Sequence, residues 1–308
     1  MSRGNARTAI GQPARMAVVL MMVAMFVAAC GGSTASVSPS ASADTSCAPE
    51  SLALKTAGVL TLSTDNPAYS PWFQGGNEGA EVWIGDYNND PVNGKGYEGA
   101  VAYAIAEKLG FTADKVTWIV TKFDQAFAPG EKAFDLLLNQ VSIKEERAEA
   151  VDFSQGYYSV AQGVVTVAGS PIAGATSIAE LKGAKLGTQI GTTSYDAIID
   201  IIQPVQDPVV FDTMDDAVAA LEAGQIDGIV ADVPTTFYMR DAQLSDGVIV
   251  GQIGSTDEGT EEFGVVLQKD SPLTACVNIA IDALRVDGTL DALLLEWISG
   301  DGSAPVIK

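Results

Sequence analysis

The sequence predicts an α/β protein built as two lobes. Short apolar, β-branched runs alternate with helical segments, the order of parallel sheets with crossover helices. That alternation occurs twice, with Gly169-Ser170-Pro171 as punctuation between the two series. A chain of 308 residues is long enough for two units of about 100 to 150 residues each.

Ahead of the first element stands a targeting segment. Arg3, Arg7 and Arg15 form a basic start, and Met16 to Val27 form an apolar run of 12 residues. This run falls short of the roughly 20 residues that span a bilayer. It ends in Val27-Ala28-Ala29-Cys30-Gly31, which resembles a bacterial lipobox. The resemblance implies a signal peptide over 1–29, lipid on Cys30 and a product anchored to the outer face of the cell membrane. An ordinary secretory signal is the alternative. Residues 31–46 are rich in Gly, Ser and Ala without apolar periodicity, so 30–46 reads as a lipid-anchored tether. Its r.m.s. reach is roughly 20 Å.

The first series opens with Val59 to Thr64, a strand by its β-branched character, which runs into the loop Asp65 to Phe73. Prolines restrict that loop, so its aromatics can be held outside a regular element. Tyr69 and Trp72 either line a site or cover the core. Residues 75–96 are rich in Gly, Asn and Asp and read as an irregular insertion. Tyr97 to Gly110 reads as a helix with Val101, Ala104, Ile105 and Leu109 on one face and a glycine cap. Val116 to Val120 is the next strand, Phe123 to Ala128 leads into a turn, and Phe134 to Leu138 is a further strand. A short polar helical segment then carries Arg147.

In the second series an apolar strand, 163–168, precedes Ser177-Ile-Ala-Glu180, a capping box for a one-turn helix. Lys185 to Ile190 is a strand, followed by Gly191-Thr192-Thr193 and an apolar helix through Ile202. Val209 to Phe211 is a strand, Asp212 or Thr213 caps a helix from Met214 to Ala223, and Ile226 to Ala231 is a strand ending at Asp232. Gly264 to Gln268 is another strand. Ser271-Pro272 marks an N-cap with Pro at the first helical position, and helices over 273–285 and 289–299 follow.

Composition excludes several classes of function. Without the signal arginines, 14 basic residues face 39 acidic ones, a net charge near −25 that is ill suited to nucleic acid. No histidine occurs, which removes Ser–His and Cys–His nucleophile pairs and every His-containing metal site. No metal or other cofactor is expected. With Cys30 lipidated, Cys47 and Cys276 remain as a pair in an oxidising compartment; a disulfide is expected, against two free thiols.

In open α/β sheets ligands collect beyond the carboxyl ends of strands. Arg147 follows one such end and can clamp a carboxylate through paired hydrogen bonds, or else pair with Glu145, Glu146 or Glu149 on the surface. Gly191-Thr192-Thr193 leaves N–H groups free at a helix start, suited to an anion, or simply caps that helix. Asp232 can receive an ammonium group or act as an N-cap. Together they supply partners for both ends of an α-amino acid.

Five ordered blocks then resemble the amino-acid-binding family 3 of ABC-transporter solute-binding proteins. These are Thr64-Asp65…Tyr69-x-Pro71, Ser142-Ile-Lys-Glu-Glu-Arg147 with Val151-Asp-Phe-Ser154, Gly191-Thr-Thr193, Ile226-Asp-Gly…Asp232, and Ala283-Leu…Asp287-Gly-Thr-Leu290. The resemblance implies the type II periplasmic-binding-protein fold, with lobe 1 over 47–164 and 264–308, lobe 2 over 166–262, and two hinge strands. It implies that Arg147 binds the ligand carboxylate with the Ser142 and Thr193 amides. Asp232, the Ser142 hydroxyl and the Gln140 carbonyl would hold the ammonium. Asp65, Tyr69, Phe123, Asn139, Gln189 and Thr192 would line the side-chain pocket. The sequence departs from the pattern by one inserted residue between Asp65 and Tyr69, and by Gln140 where a small residue is usual.

The expected function is a monomeric, lipid-anchored receptor that delivers a polar or cationic amino acid to an ABC permease. The alternatives are an enzyme on the same fold, such as a cyclohexadienyl-dehydratase-like lyase, and a non-transport amino-acid sensor.

Overall fold

The computed structural model describes residues 46–76, 83, 89–254, 261–298 and 304–308. The signal segment, Cys30, nearly all of the tether and half of the 75–96 insertion lie outside the described residues. Within the insertion Trp83 is buried, whereas Tyr87 is not described.

The first series begins with β1 (Leu60–Thr64), α1 (Tyr97–Lys108), β2 (Val116–Val120), α2 (Phe123–Ala126) and β3 (Leu136–Leu137). Then come α3 (Glu145–Ala148), β4 (Val151–Phe153) and β5 (Tyr158–Val160). All five residues of β1 are buried, as a central strand covered on both faces requires. β1 pairs in parallel with β2 and with β3. The predicted helix over 97–110 holds, and Gly110 takes the left-handed φ of 86° that a helix end needs. Phe134 to Leu138 contributes only a two-residue strand, although Asp135 N–H still donates to Thr61 O at 2.8 Å, and the Asp135 carboxylate accepts from the Lys55 and Thr61 main-chain N–H groups at 2.8 Å each.

The second series runs β6 (Gln162–Val167), α4 (Ile178–Leu181), β7 (Leu186–Gln189), α5 (Thr193–Asp196), β8 (Val209–Phe211), α6 (Met214–Glu222), β9 (Gly228–Asp232), α7 (Val233–Tyr238) and β10 (Gly247–Ile253). The capping box at Ser177 and Glu180 forms both of its bonds, and Thr213 caps α6 by accepting from Asp216 N–H at 3.2 Å. The apolar helix through Ile202 differs from expectation: its second part, Ala197–Ile202, winds as a π-helix.

β11 (Glu261–Phe263), β12 (Val266–Gln268), α8 (Thr274–Val286), α9 (Thr289–Trp297) and β13 (Val306–Ile307) complete the chain. One sheet has the order β2-β1-β3-β12-β4, the other β13-β10-β6-β9-β7-β8. β5 and β11 form a separate antiparallel pair, with Phe263 opposite Tyr158. They are the two crossings between the sheets, one from β4 to β6 and the other from β10 to β12. Trp72 packs edge-on against both, its ring 5.1 Å from Tyr158 and 5.4 Å from Phe263. It is fully buried and donates from Nε1 to Thr235 Oγ1 at 2.9 Å. Trp72 therefore belongs to the hinge core and does not line the cleft.

Two expectations need correction. The chain end was assigned to lobe 1 with 264–308, but β13 pairs in parallel with β10 in the second sheet. The Ile178 N–H also donates to Lys308 O at 3.0 Å, so main-chain bonding carries the end to the other lobe. Ser271 is not the cap of the helix after it. α8 starts at Thr274, and the Ser271 hydroxyl instead accepts from Leu273 N–H in the preceding turn.

Cys47 and Cys276 are joined by a disulfide, with Cα atoms 5.5 Å apart. It fastens the start of the described chain to α8.

Candidate functional site

The carboxyl ends of β1, β2, β3, β7 and β9 meet at one cleft. Nine of the eleven expected ligand-binding residues ring a single cavity there: Asp65, Tyr69, Phe123, Asn139, Gln140, Gln189, Thr192, Thr193 and Asp232. Ser194, Met214, Ala231 and Thr235 complete the lining. Ser142 and Arg147 are not part of the lining but are joined to it: the Ser142 hydroxyl lies 3.4 Å from that of Thr193.

Arg147 is buried, 8% exposed. Its Nη1 donates to Ser142 O and its Nη2 to Gly191 O, both at 2.8 Å, so it bridges the two series of strands. The guanidinium carbon stands 4.4 Å from the Phe127 ring centre and 5.8 Å from that of Phe123. That is the geometry in which an aromatic face stabilises a cation. Glu145, Glu146 and Glu149 do not pair with it, and among the described residues no ion pair holds it. Burial lowers its pKa, with Asp196, Glu261 and Asp232 opposing, and a guanidinium remains charged throughout. Two main-chain carbonyls engage two of its five N–H donors; a buried cation so placed has the capacity for an anion.

Asp232 stands at the end of β9 and does not cap α7 through its side chain. Its Oδ1 accepts from Gln162 Nε2 at 2.8 Å, and Gln162 Oε1 accepts from the Ser194 hydroxyl at 2.6 Å. Burial, then Glu261, raise its pKa well above its ordinary value, with Gln162 opposing. A cation placed here would relieve both causes. Thr192 likewise does not cap: its hydroxyl donates to Gln189 O at 2.8 Å, leaving the N–H groups at the start of α5 without a side-chain cap.

At the other end of the cavity both Asp65 oxygens accept main-chain N–H groups, from Asn66 at 2.7 Å and Phe123 at 3.0 Å. Burial raises its pKa against these two bonds. The Tyr69 hydroxyl accepts from Asp215 N–H at 3.3 Å, and Gln189 Nε2 donates to Asp212 O at 3.3 Å. Asn139 Oδ1 accepts from the Thr64 hydroxyl at 3.3 Å, while its buried Nδ2 has no partner.

Two carboxylates beside the cavity carried no role in the sequence reading. Glu261, on the crossing strand β11, accepts from the Ser142 hydroxyl and from Gln162 Nε2. Glu98, on α1, is fully buried and accepts from Gln140 and Tyr157. Of the four carboxylates Asp65, Glu98, Asp232 and Glu261, the last two act on the charge of Arg147, whereas Asp65 lies near Lys122. The cavity itself holds about 40 Å³, space for a few water molecules and too little for an amino acid.

Comparison with known proteins fits this geometry. The model of the bacterial extracellular solute-binding proteins, family 3, matches residues 85–300. The L-cystine-binding protein TcyJ of Escherichia coli (strain K12) is 30% identical over 209 residues, 67% of this chain and 75% of that protein. An L-arginine-binding protein of Pseudomonas aeruginosa is 26% identical over 259 residues, 81% of this chain and 95% of that protein. A solved ancestral arginine-binding protein bound to arginine superposes with a TM-score of 0.62 at 26% identity, covering 79% of this chain and 99% of that one.

Proposed function

The chain belongs to the bacterial extracellular solute-binding proteins, family 3, and from that premise we propose that it captures a cationic amino acid, L-arginine in the first instance, for an ABC permease. The observation that carries this reading is the pairing of unmet charges across one cavity. Arg147 has no carboxylate partner among the described residues, and Asp232 has one neutral donor and no cation. An α-amino acid supplies a carboxylate to the first and an ammonium to the second. Asp65, Asp232 and Glu98 lie at or beside the cavity, and none of them is held in an ion pair among the described residues. This favours a ligand with a further positive charge and is the basis for preferring a cationic side chain.

Contacts to both lobes make the ligand a clamp for the closed form, so binding shifts the population towards closure and a permease reads the closed pair. Arg147 already reaches across to Gly191 O, and Lys144 pairs with Asp196 at 2.7 Å on the same side. Both halves of the site come from one chain, so a monomer suffices. The ligand leaves unchanged, because binding without chemistry is all the site is asked to do.

Thermal unfolding against the amino acids and their derivatives tests the reading. L-arginine at about a hundred times its Kd should add about 2.7 kcal/mol of apparent stability. No shift with any amino acid, or conversion of the ligand during incubation, would refute it.

Lipid attachment at Cys30, motivated by the lipobox, is part of the same proposal. Cys30→Ala should move the protein from the membrane fraction to the medium; an unchanged distribution would refute the anchor.

A further inference from the structure

Glu98 is the second residue of α1, fully buried, with no basic side chain among its partners. Three donors converge on it: Gln140 N–H at 2.7 Å, Gln140 Nε2, and the Tyr157 hydroxyl. Gln140 lines the ligand cavity with a φ of 50°, a left-handed conformation that a side chain other than glycine keeps only when its surroundings hold it. The bond from its N–H to Glu98 is such a hold. Tyr157 stands at the start of the crossing strand β5. Its N–H donates to Phe263 O on the other crossing strand, and its carbonyl accepts from the Tyr97 hydroxyl, both at 2.9 Å. One buried carboxylate thus joins the cavity wall to both crossings.

The arrangement suits the ionised form. A carboxylate accepts all three bonds, whereas a neutral carboxyl must donate from one oxygen, which turns one of the three donors away. The Gln140 N–H is fixed by the backbone, so the Tyr157 hydroxyl or the Gln140 amide has to move. The titratable groups facing Glu98 are Tyr97 from α1, Tyr157 from the crossing strand and Asp232 across the cavity. None is basic.

We propose that Glu98 is a positioning residue of the ligand site: ionised, it holds Gln140 and ties it to the hinge through Tyr157, and proton uptake loosens that hold and weakens ligand capture. This rests on the reading of the cleft as an amino-acid site. Burial pushes the Glu98 carboxyl up to about 7 against its three donors, so the transition falls in an accessible range. The signs are opposite for ligand and fold. An ammonium in the cavity favours ionised Glu98, so binding releases protons at and below about pH 7. For the empty protein, the raised carboxyl contributes stability that is complete below the unfolded value of 4.5 and is lost as pH rises through about 7.

The test is calorimetric titration with L-arginine, with L-glutamine as a neutral control, in buffers of different ionisation enthalpy so that protons are counted. Wild-type affinity for L-arginine should fall about fivefold from about pH 8 to about pH 5.5, with proton release at about pH 7. Glu98→Gln should bind about tenfold more weakly at about pH 8, with a flatter profile and fewer protons released, Asp232 and Asp65 remaining to titrate. Glu98→Asp, which keeps the charge, should restore part of both. Wild-type affinity in E98Q, or an unchanged proton count, overturns the proposal. If E98Q does not fold, the wild-type count decides: no proton release at about pH 7 overturns it. Binding of L-arginine without pH dependence defeats the role of Glu98 and leaves the amino-acid reading standing. Failure to bind either amino acid defeats both.

Discussion

Arg147→Ala is expected to weaken binding of L-arginine about a hundredfold or more, a loss of about 3 kcal/mol. The size follows from what remains when the side chain goes. The proposed ligand carboxylate would still enter a buried cavity, now with Asp232 and Glu261 near it and no guanidinium to meet it. Its desolvation would then be uncompensated. Arg147→Lys should recover only part of the loss, because an ammonium offers one point of charge where the guanidinium offers a planar fork. The ring of Phe127 at 4.4 Å holds that fork flat, which a lysine stem does not exploit. The affinity is read by calorimetry. Thermal unfolding of the empty variant serves as control, since Arg147 also bonds the carbonyls of Ser142 and Gly191. Near-native affinity in R147A would remove the carboxylate assignment.

Replacing both cysteines of the disulfide, Cys47→Ala with Cys276→Ala, should produce the largest loss of stability. The bridge joins positions 229 residues apart. In the chain-entropy account, a closed loop of that length restricts the unfolded chain by about 5 kcal/mol. For a domain of this size that corresponds to a fall in Tm of roughly 10 °C or more. Affinity for the ligand should change little, because neither cysteine lines the cavity. Reductant should lower the Tm of the wild type by a similar amount and leave the double variant unaffected. Equal Tm values for wild type and variant would show that the bridge contributes no net stability.

The parts of the site that the sequence made legible share one property: they follow strands. Asp65 after β1, Asn139 after β3, Thr192 after β7 and Asp232 at the end of β9 follow strands whose carboxyl ends share one edge, while the roles of Asp65, Asn139 and Thr192 as pocket residues come from the family resemblance. Arg147 was ambiguous by itself, because three glutamates within two residues offered it surface partners. The fold decides that point by burying its side chain and turning theirs outward. What stayed hidden depends on distant approach. Glu98 in the first turn of a helix reads as ordinary helix-terminus chemistry, an acidic group near the positive end. Only the folded chain brings Gln140 and Tyr157 onto it, from 42 and 59 residues away. Glu261 is hidden in the same way, since it reaches Ser142 across 119 residues.

The fold shows the same division. The capping box at Ser177 and the cap of α6 are local hydrogen-bond arrangements; the box forms as expected, and of the two candidates Asp212 and Thr213 it is Thr213 that caps α6. β10 and β13 were not foreseen. Val306 and Ile307 make a strand too short to show a pattern, and its pairing with Gln252 and Ile253 is a tertiary event. A loop aromatic such as Trp72 carries no periodicity, so the sequence does not separate pocket from core for it. The crossing strands, with Tyr158 and Phe263, claim it for the hinge.

The most direct measurement of the central claim is a crystal structure of the protein grown with L-arginine. The account predicts the ligand between the lobes, its carboxylate within hydrogen-bond reach of the Arg147 guanidinium and its α-ammonium at Asp232. The guanidinium of the ligand should extend towards Asp65 and Tyr69. A ligand bound elsewhere, or bound in the cleft with its carboxylate away from Arg147, would contradict it.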